Sequence, residues 1–109
     1  AGLGERAEFP CGFDAVFFGN IPLGAGLSSS AALEISAGLA LAKLYGIGIE
    51  RLELAKIGQA AEHRFAGVKC GLLDQISSLF GAEGMLVETD FRSLAVKNVP
   101  LGDNACFLM

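Results

Sequence analysis

Pro22-Leu23-Gly24-Ala25-Gly26-Leu27-Ser28-Ser29-Ser30-Ala31-Ala32-Leu33-Glu34 is the stretch whose reading decides the fold. Its two glycines let the main chain turn tightly and approach an anion closely. The helix formers that follow bring a helix start, whose free N–H groups and positive dipole end point at the same spot. Three consecutive serines add hydroxyl donors and oxygen atoms suited to a metal. Upstream, residues 15–19 read Ala-Val-Phe-Phe-Gly, the pattern of a short buried strand feeding a loop over residues 20–28. The order is strand, glycine-rich loop, helix.

Working outward, the helix is expected from about Ser29 to Tyr45, with Leu33, Ala37, Ala40, Leu41 and Leu44 on its apolar face and Gly46 as its stop. Glu34 falls in its first turns, where an acid suits the dipole. A second helix is expected over residues 50–66, because Leu54, Ile57, Gly58, Ala61 and Phe65 recur at helical spacing, with Gly67 ending it. Residues 70–81 read as a short third helix with Leu72, Ile76, Leu79 and Phe80 on its apolar side and Asp74 in its first turn. After Gly84 the pattern changes to strand-like runs over 85–89, 95–99 and 106–109, separated by turn-prone residues 90–93 and 100–104. The fold class is α+β, with three helices packed on a small sheet.

The chain has 109 residues, 52% of them hydrophobic, enough for one domain or a piece of one to bury a core. Twelve acids against eight bases leave a net charge of -4 with no basic cluster, which gives nucleic acid or an anionic membrane no electrostatic support. Cys11, Cys70 and Cys106 are odd in number and lack CxxC spacing, so they read as inert buried thiols of a reducing, cytoplasmic compartment. Tyr45 and the eight phenylalanines read as core. The most apolar stretch, residues 35–49, is broken by Lys43 and three glycines and is shorter than the roughly 20 residues that span a bilayer.

Several phosphate-binding designs use glycine and serine, and the details separate them. No Lys follows Gly24 or Gly26 as a Walker A loop requires. A dinucleotide fingerprint would put Ser29 at its third glycine position and would need a strand over residues 45–49, where two of five residues are glycine. A GxSxG nucleophile elbow is absent, and a hydrolase drawn from Ser28, His63 and Asp74 would need its serine on an exposed elbow instead of at a helix start. His63 therefore reads as a structural or surface residue of the second helix.

The pattern PLGAGLSSSAALE resembles the ATP-binding motif of the galactokinase, homoserine, mevalonate and phosphomevalonate kinase superfamily. Ala61-Glu62-His63, Phe65-Ala66-Gly67, Cys70-Gly71-Leu72-Leu73-Asp74-Gln75 and Asp90-Phe91-Arg92-Ser93-Leu94 are similar to its galactokinase branch in particular. The resemblance runs from Ala15 to the C-terminus. It implies a ribosomal-protein-S5-type α+β fold and transfer of the ATP γ-phosphate to the anomeric hydroxyl of a sugar, galactose first among candidates. N-acetylgalactosamine, arabinose and galacturonate remain open, as does a kinase-derived regulator that binds sugar and ATP without turnover.

Carried onto this sequence, the resemblance implies that Gly24, Ala25, Gly26, Leu27, Ser28, Ser29 and Ser30 wrap the ATP phosphates. It also implies that Ser30 and Glu62 hold Mg²⁺, a cation that takes hard oxygen ligands and is often bound by a carboxylate plus substrate phosphates. Without the resemblance Glu62 reads as an ordinary solvated helix acid, and only the family spacing reverses that. Asp74 corresponds to the aspartate that accepts the sugar hydroxyl proton or orients that hydroxyl for attack. Gly71 would let the backbone approach the sugar. The family's sugar-gripping motif is expected ahead of Ala1 and its glycine-rich C-terminal motif and second domain beyond Met109, so residues 1–109 are expected to be an internal fragment of the N-terminal domain, inactive alone.

Overall fold

The computed structural model describes Leu3 and residues 12–67 and 69–108. Helix α1 runs Ser29–Leu44, α2 Arg51–Ala61, a π-helical turn Glu62–Ala66, α3 Leu73–Phe80, and strands β1 and β2 Met85–Asp90 and Ala95–Pro100. The three helices pack on one another, and a two-stranded antiparallel sheet joins them through α3 and β2. This is the expected α+β arrangement.

The rich supply of Ala, Leu and Ile makes α1 a strong helix, and it ends where expected. Tyr45 caps it, Gly46 takes a left-handed φ of 65°, and the N–H groups of Gly46 and Ile47 donate to Lys43 O and Ala42 O at 3.4 and 2.8 Å. That pair of bonds is the Schellman closure. The buried face is not the expected one. Ala31, Ile35, Gly38 and Ala42 face inward, while Leu33 and Leu44 are exposed. Apolar residues occur all round α1, so helical period singles out no stripe, and the small side chains decide which side a neighbour can approach. A Cβ on Gly38 would lie 2.8 Å from Leu54 Cδ1 of α2, so the close crossing of α1 and α2 depends on its absence.

Glu50, in extended conformation, precedes α2, whose inner face is Leu54, Ala55 and Gly58. Arg51 ties its start to the end of α3: Nη1 donates to Leu79 O at 3.1 Å and the guanidinium lies 5.8 Å from the Phe80 ring centre. Past Ala61 the helix widens into the π turn. Wider turns advance fewer degrees per residue, which takes Phe65 off the stripe where α-helical spacing puts it and leaves it exposed. Gly67, with φ 67°, ends the turn as expected.

In α3 the apolar side is as expected, with Ile76 and Leu79 buried and Leu72 and Phe80 packed beside them. Its start is three residues later than Cys70, because Cys70's main-chain groups bond elsewhere. The strands pair in register from Met85↔Pro100 to Asp90↔Ala95, and Glu88 meets its partner Lys97 at 3.2 Å. The connecting turn is local: Asp90 Oδ1 accepts the Arg92 N–H at 2.9 Å and Leu94 takes φ 56°. Asn98 Nδ2 donates to Phe80 O at 3.0 Å and joins sheet to helix.

Ile35, Leu54, Ala55, Ile76 and Leu79 form the core with Leu3, and Val87 and Val96 of the hairpin pack against it. Burying one such large side chain stabilises by about 1.5–3 kcal/mol. Other expectations fail as well. Residues 15–19 are not a strand: 12–20 have no regular structure, and Val16 and Phe18 are almost fully exposed. An apolar run becomes a strand only beside a partner for its N–H and C=O groups, and none pairs with it among the described residues. For the same reason 106–108 form no strand, Met109 lying outside the described residues.

Phenylalanines 13, 17, 18, 65, 91 and 107 are exposed and not core, since three short helices and a hairpin cannot cover so much apolar surface. Nor are the thiols buried: Cys70 is half-buried and Cys106 exposed, both free, and Cys11 lies outside the described residues.

Candidate functional site

The loop ahead of α1 carries left-handed φ angles at alternate residues: 70° at Gly24, 72° at Gly26 and 56° at Ser28. Glycine adopts this region freely, and the space where either glycine's Cβ would sit is open. Alternation of this kind turns successive N–H groups toward one side, the geometry of an anion nest. Residues 21–27, with Ala25 and Leu27 among them, are exposed; Ser28 and Ser29 are half-buried and Ser30 is exposed. Ser28 is the N-cap of α1, and its side chain makes no capping bond to that end. The first-turn N–H groups therefore face outward beside the nest. An open groove along the first turns of α1 is lined by Phe17, Phe18, Ile21 and Leu23 on one side and Ser29, Ala32, Leu33 and Ser36 on the other.

One turn along α1 from Ser30 lies Glu34, which meets Glu62 of the π turn and Gln75 of α3. Glu62 is only 5% exposed, so the reading as a solvated helix acid fails, and Gln75 is 1% exposed. Gly58 makes room for this junction: a Cβ there would lie 3.2 Å from Gln75 Cγ and 3.7 Å from Glu34 Oε2. Burial, and then the neighbouring Glu62 charge, push the Glu34 carboxyl up to about 7, with the Gln75 amide pulling the other way. Glu34 Oε2 and Gln75 Oε1 are out of water and have no hydrogen-bond donor among the described residues.

Two carboxyl groups and an amide oxygen meet one helical turn along from Ser30, and carboxylate, amide and hydroxyl oxygens are the hard donors that Mg²⁺ takes. No group of three or more His, Cys, Asp or Glu able to hold a metal occurs among the described residues. A cation on Ser30 and Glu62 would therefore complete its shell from phosphate and water.

Asp74 is in the first turn of α3, half-buried, next to Gln75 in sequence. Gly71 lies exposed in the approach to that helix, with nothing within 4 Å of where a Cβ would be. The approach is clamped by two residues with no expected role in it. Gln59 Nε2 donates to Cys70 O at 3.0 Å, and His63 Nε2 sits against both main-chain groups of Cys70, 2.9 Å from its O and 3.1 Å from its N. His63 is thus a structural residue, as expected, in contact with the segment that leads to Asp74. Sequence reasoning missed Glu34, treated only as a helix-start acid, and the Gln59 clamp. The available signal was spacing: Glu34 is four residues from Ser30, and Glu62 is four from Gly58.

Residues 2–82 match the family model described as GHMP kinases N terminal domain. The chain is 41% identical over 102 residues, 94% of its length, to a galactokinase of Pasteurella multocida (strain Pm70), and spans 26% of that relative. It superimposes with a TM-score of 0.72, at 41% identity, on Lactococcus lactis galactokinase solved in complex with galactose, over 75% of this chain and 21% of that one. It thus spans about a quarter of the length of the relatives it matches. With its serine-bearing loop, helix start and family model in agreement, the chain belongs to the GHMP kinase family and is a homologue of its galactokinases.

Proposed function

We propose that this chain forms the ATP- and Mg²⁺-handling part of a cytoplasmic sugar 1-kinase that transfers the γ-phosphate of ATP to the anomeric hydroxyl of galactose. The observation that carries this reading is the loop: left-handed residues at 24, 26 and 28 deliver the chain into a helix start that the Ser28 side chain does not cap. The 41% identity to a protein named galactokinase adds support.

The backbone N–H groups of Gly24, Ala25, Gly26, Leu27, Ser28, Ser29 and Ser30 bind the phosphate oxygens, with the helix dipole adding its positive end. The Ser30 hydroxyl and the Glu62 carboxylate hold the magnesium ion. When bound, that ion neutralises phosphate charge and orients the transferred group. Asp74 accepts a hydrogen bond from the sugar hydroxyl and so either orients it or takes its proton. Gly71, bearing no side chain, leaves the backbone open to the sugar ring.

The test is turnover by the full-length protein on a panel of galactose, N-acetylgalactosamine, arabinose and galacturonate, with and without Asp74→Asn. Galactose is expected to be the best substrate, and the substitution to lower kcat by about 10²–10⁴ with ATP affinity retained. Normal turnover in the Asp74→Asn protein would sink the catalytic assignment. A different preferred sugar would move the substrate and leave the kinase reading in place.

A further inference from the structure

We propose that Glu34 is a positioning residue for Glu62, holding that carboxyl in register with Ser30 so that the two can share one divalent cation. The proposal rests on the reading of Ser30 and Glu62 as metal ligands. Ser30 and Glu34 are four residues apart on α1, hence on one face of the helix, one turn apart. Glu62 comes from a different element, the π turn, and meets α1 at Glu34. Glu34 thus connects the rim of the phosphate loop to the buried acid.

The packing makes this a built contact. Gly58 stands at the crossing, where a Cβ would press on Gln75 Cγ at 3.2 Å and touch Glu34 Oε2 at 3.7 Å, so the Glu34 carboxyl and the Gln75 side chain both lie against its bare backbone. Gln75 is 1% exposed and Glu62 5%, and both Glu34 Oε2 and Gln75 Oε1 are buried without a donor among the described residues. Acceptor oxygens outnumber donors in this junction, a balance that favours a positively charged partner at its edge. Residues that orient a metal's direct ligand affect its affinity about 10–100-fold.

The test is a titration with Mn²⁺ of the full-length protein saturated with a non-hydrolysable ATP analogue, with protein-bound metal read by electron paramagnetic resonance against the analogue alone, on the wild type and on Glu34→Leu, Glu34→Gln and Glu62→Gln. Glu34→Leu is expected to weaken Mn²⁺ binding about tenfold. Glu34→Gln keeps the length and a hydrogen-bonding end against Glu62, so it is expected to stay within about twofold of wild type. Wild-type affinity in Glu34→Leu, with Glu62→Gln weakened, would overturn the role of Glu34 and leave the metal reading standing. Unchanged binding in Glu62→Gln, or no binding by the wild type, would overturn the metal reading and this proposal with it. A Gln variant as weak as the Leu variant would make Glu34 a source of charge instead of a positioning group and also overturn the proposal. Should Glu34→Leu lose its helical circular dichroism, Glu34→Asp decides: it draws the carboxyl back by one methylene, and wild-type affinity there sinks the idea.

Discussion

The carboxyl of Glu34 on α1 meets the carboxyl of Glu62 on the π turn where three helices converge, and Oε2 of Glu34 finds no donor there among the described residues. Two acids so close are a cost to the fold unless one is neutral or a cation lies beside them. That cost has measurable consequences.

Glu34 makes stability depend on pH. Burial first, and the Glu62 charge second, raise its carboxyl from 4.5 to about 7 in the folded protein. The folded state then holds its proton more tightly than the unfolded chain, so the contribution is fully present below pH 4.5 and is lost as pH rises through about 7. Metal-free protein is expected to melt at lower temperature at pH 7.5 than at pH 5.5, and Glu34→Gln to flatten that slope. A slope unchanged by Glu34→Gln would assign it elsewhere. Asp90 acts with opposite sign: chiefly the Arg92 backbone N–H lowers its carboxyl, so its contribution is present above its unfolded pKa and lost as pH falls through the folded one.

Gly58→Ala should destabilise the fold despite better helix propensity. The added methyl would meet Gln75 Cγ at 3.2 Å and Ile35 Cδ1 at 3.3 Å, and both neighbours are fully buried. Overpacking of this kind costs about 1–3 kcal/mol, against roughly 1 kcal/mol gained from replacing glycine in a helix. Urea denaturation should show a net loss, and a gain would mean the crossing is looser than its distances indicate.

Gln59→Ala and His63→Ala should each loosen the approach to α3. Each removes a hydrogen bond to Cys70, at 3.0 and 3.1 Å, worth about 0.5–1.5 kcal/mol. Hydrogen exchange would show this as faster exchange of the Cys70 amide in His63→Ala, with the core of α1 unaffected. Equal protection in mutant and wild type would mean that the clamp does not hold the segment.

Paired substitution of Gly24 and Gly26 by Ala should separate function from stability. No atom lies within 4 Å of either new methyl, but φ values of 70° and 72° cost a side chain about 1–2 kcal/mol each. An exposed loop relieves such strain by leaving its conformation. ATP affinity in the full-length protein is expected to fall by at least about tenfold while the melting temperature changes little, since 1.4 kcal/mol is already a factor of ten. Unchanged ATP affinity would remove the loop from the nucleotide site.

Glycine and serine spacing, the stop at Gly46, Asp74 at the start of α3 and the Asp90 turn were all legible in the sequence. Each is a local matter, decided by backbone freedom or by bonds a few residues away. The inner face of α1, the outward turn of Phe65, the unpaired residues 15–19 and the meeting of Glu34, Glu62 and Gln75 were not legible. A helix apolar all round does not say which side will be covered, and a strand-like run does not say whether a partner lies beside it. Those outcomes depend on which surfaces approach closely enough, at Gly38 against Leu54 and at Gly58 against Gln75, and only the packed chain decides that.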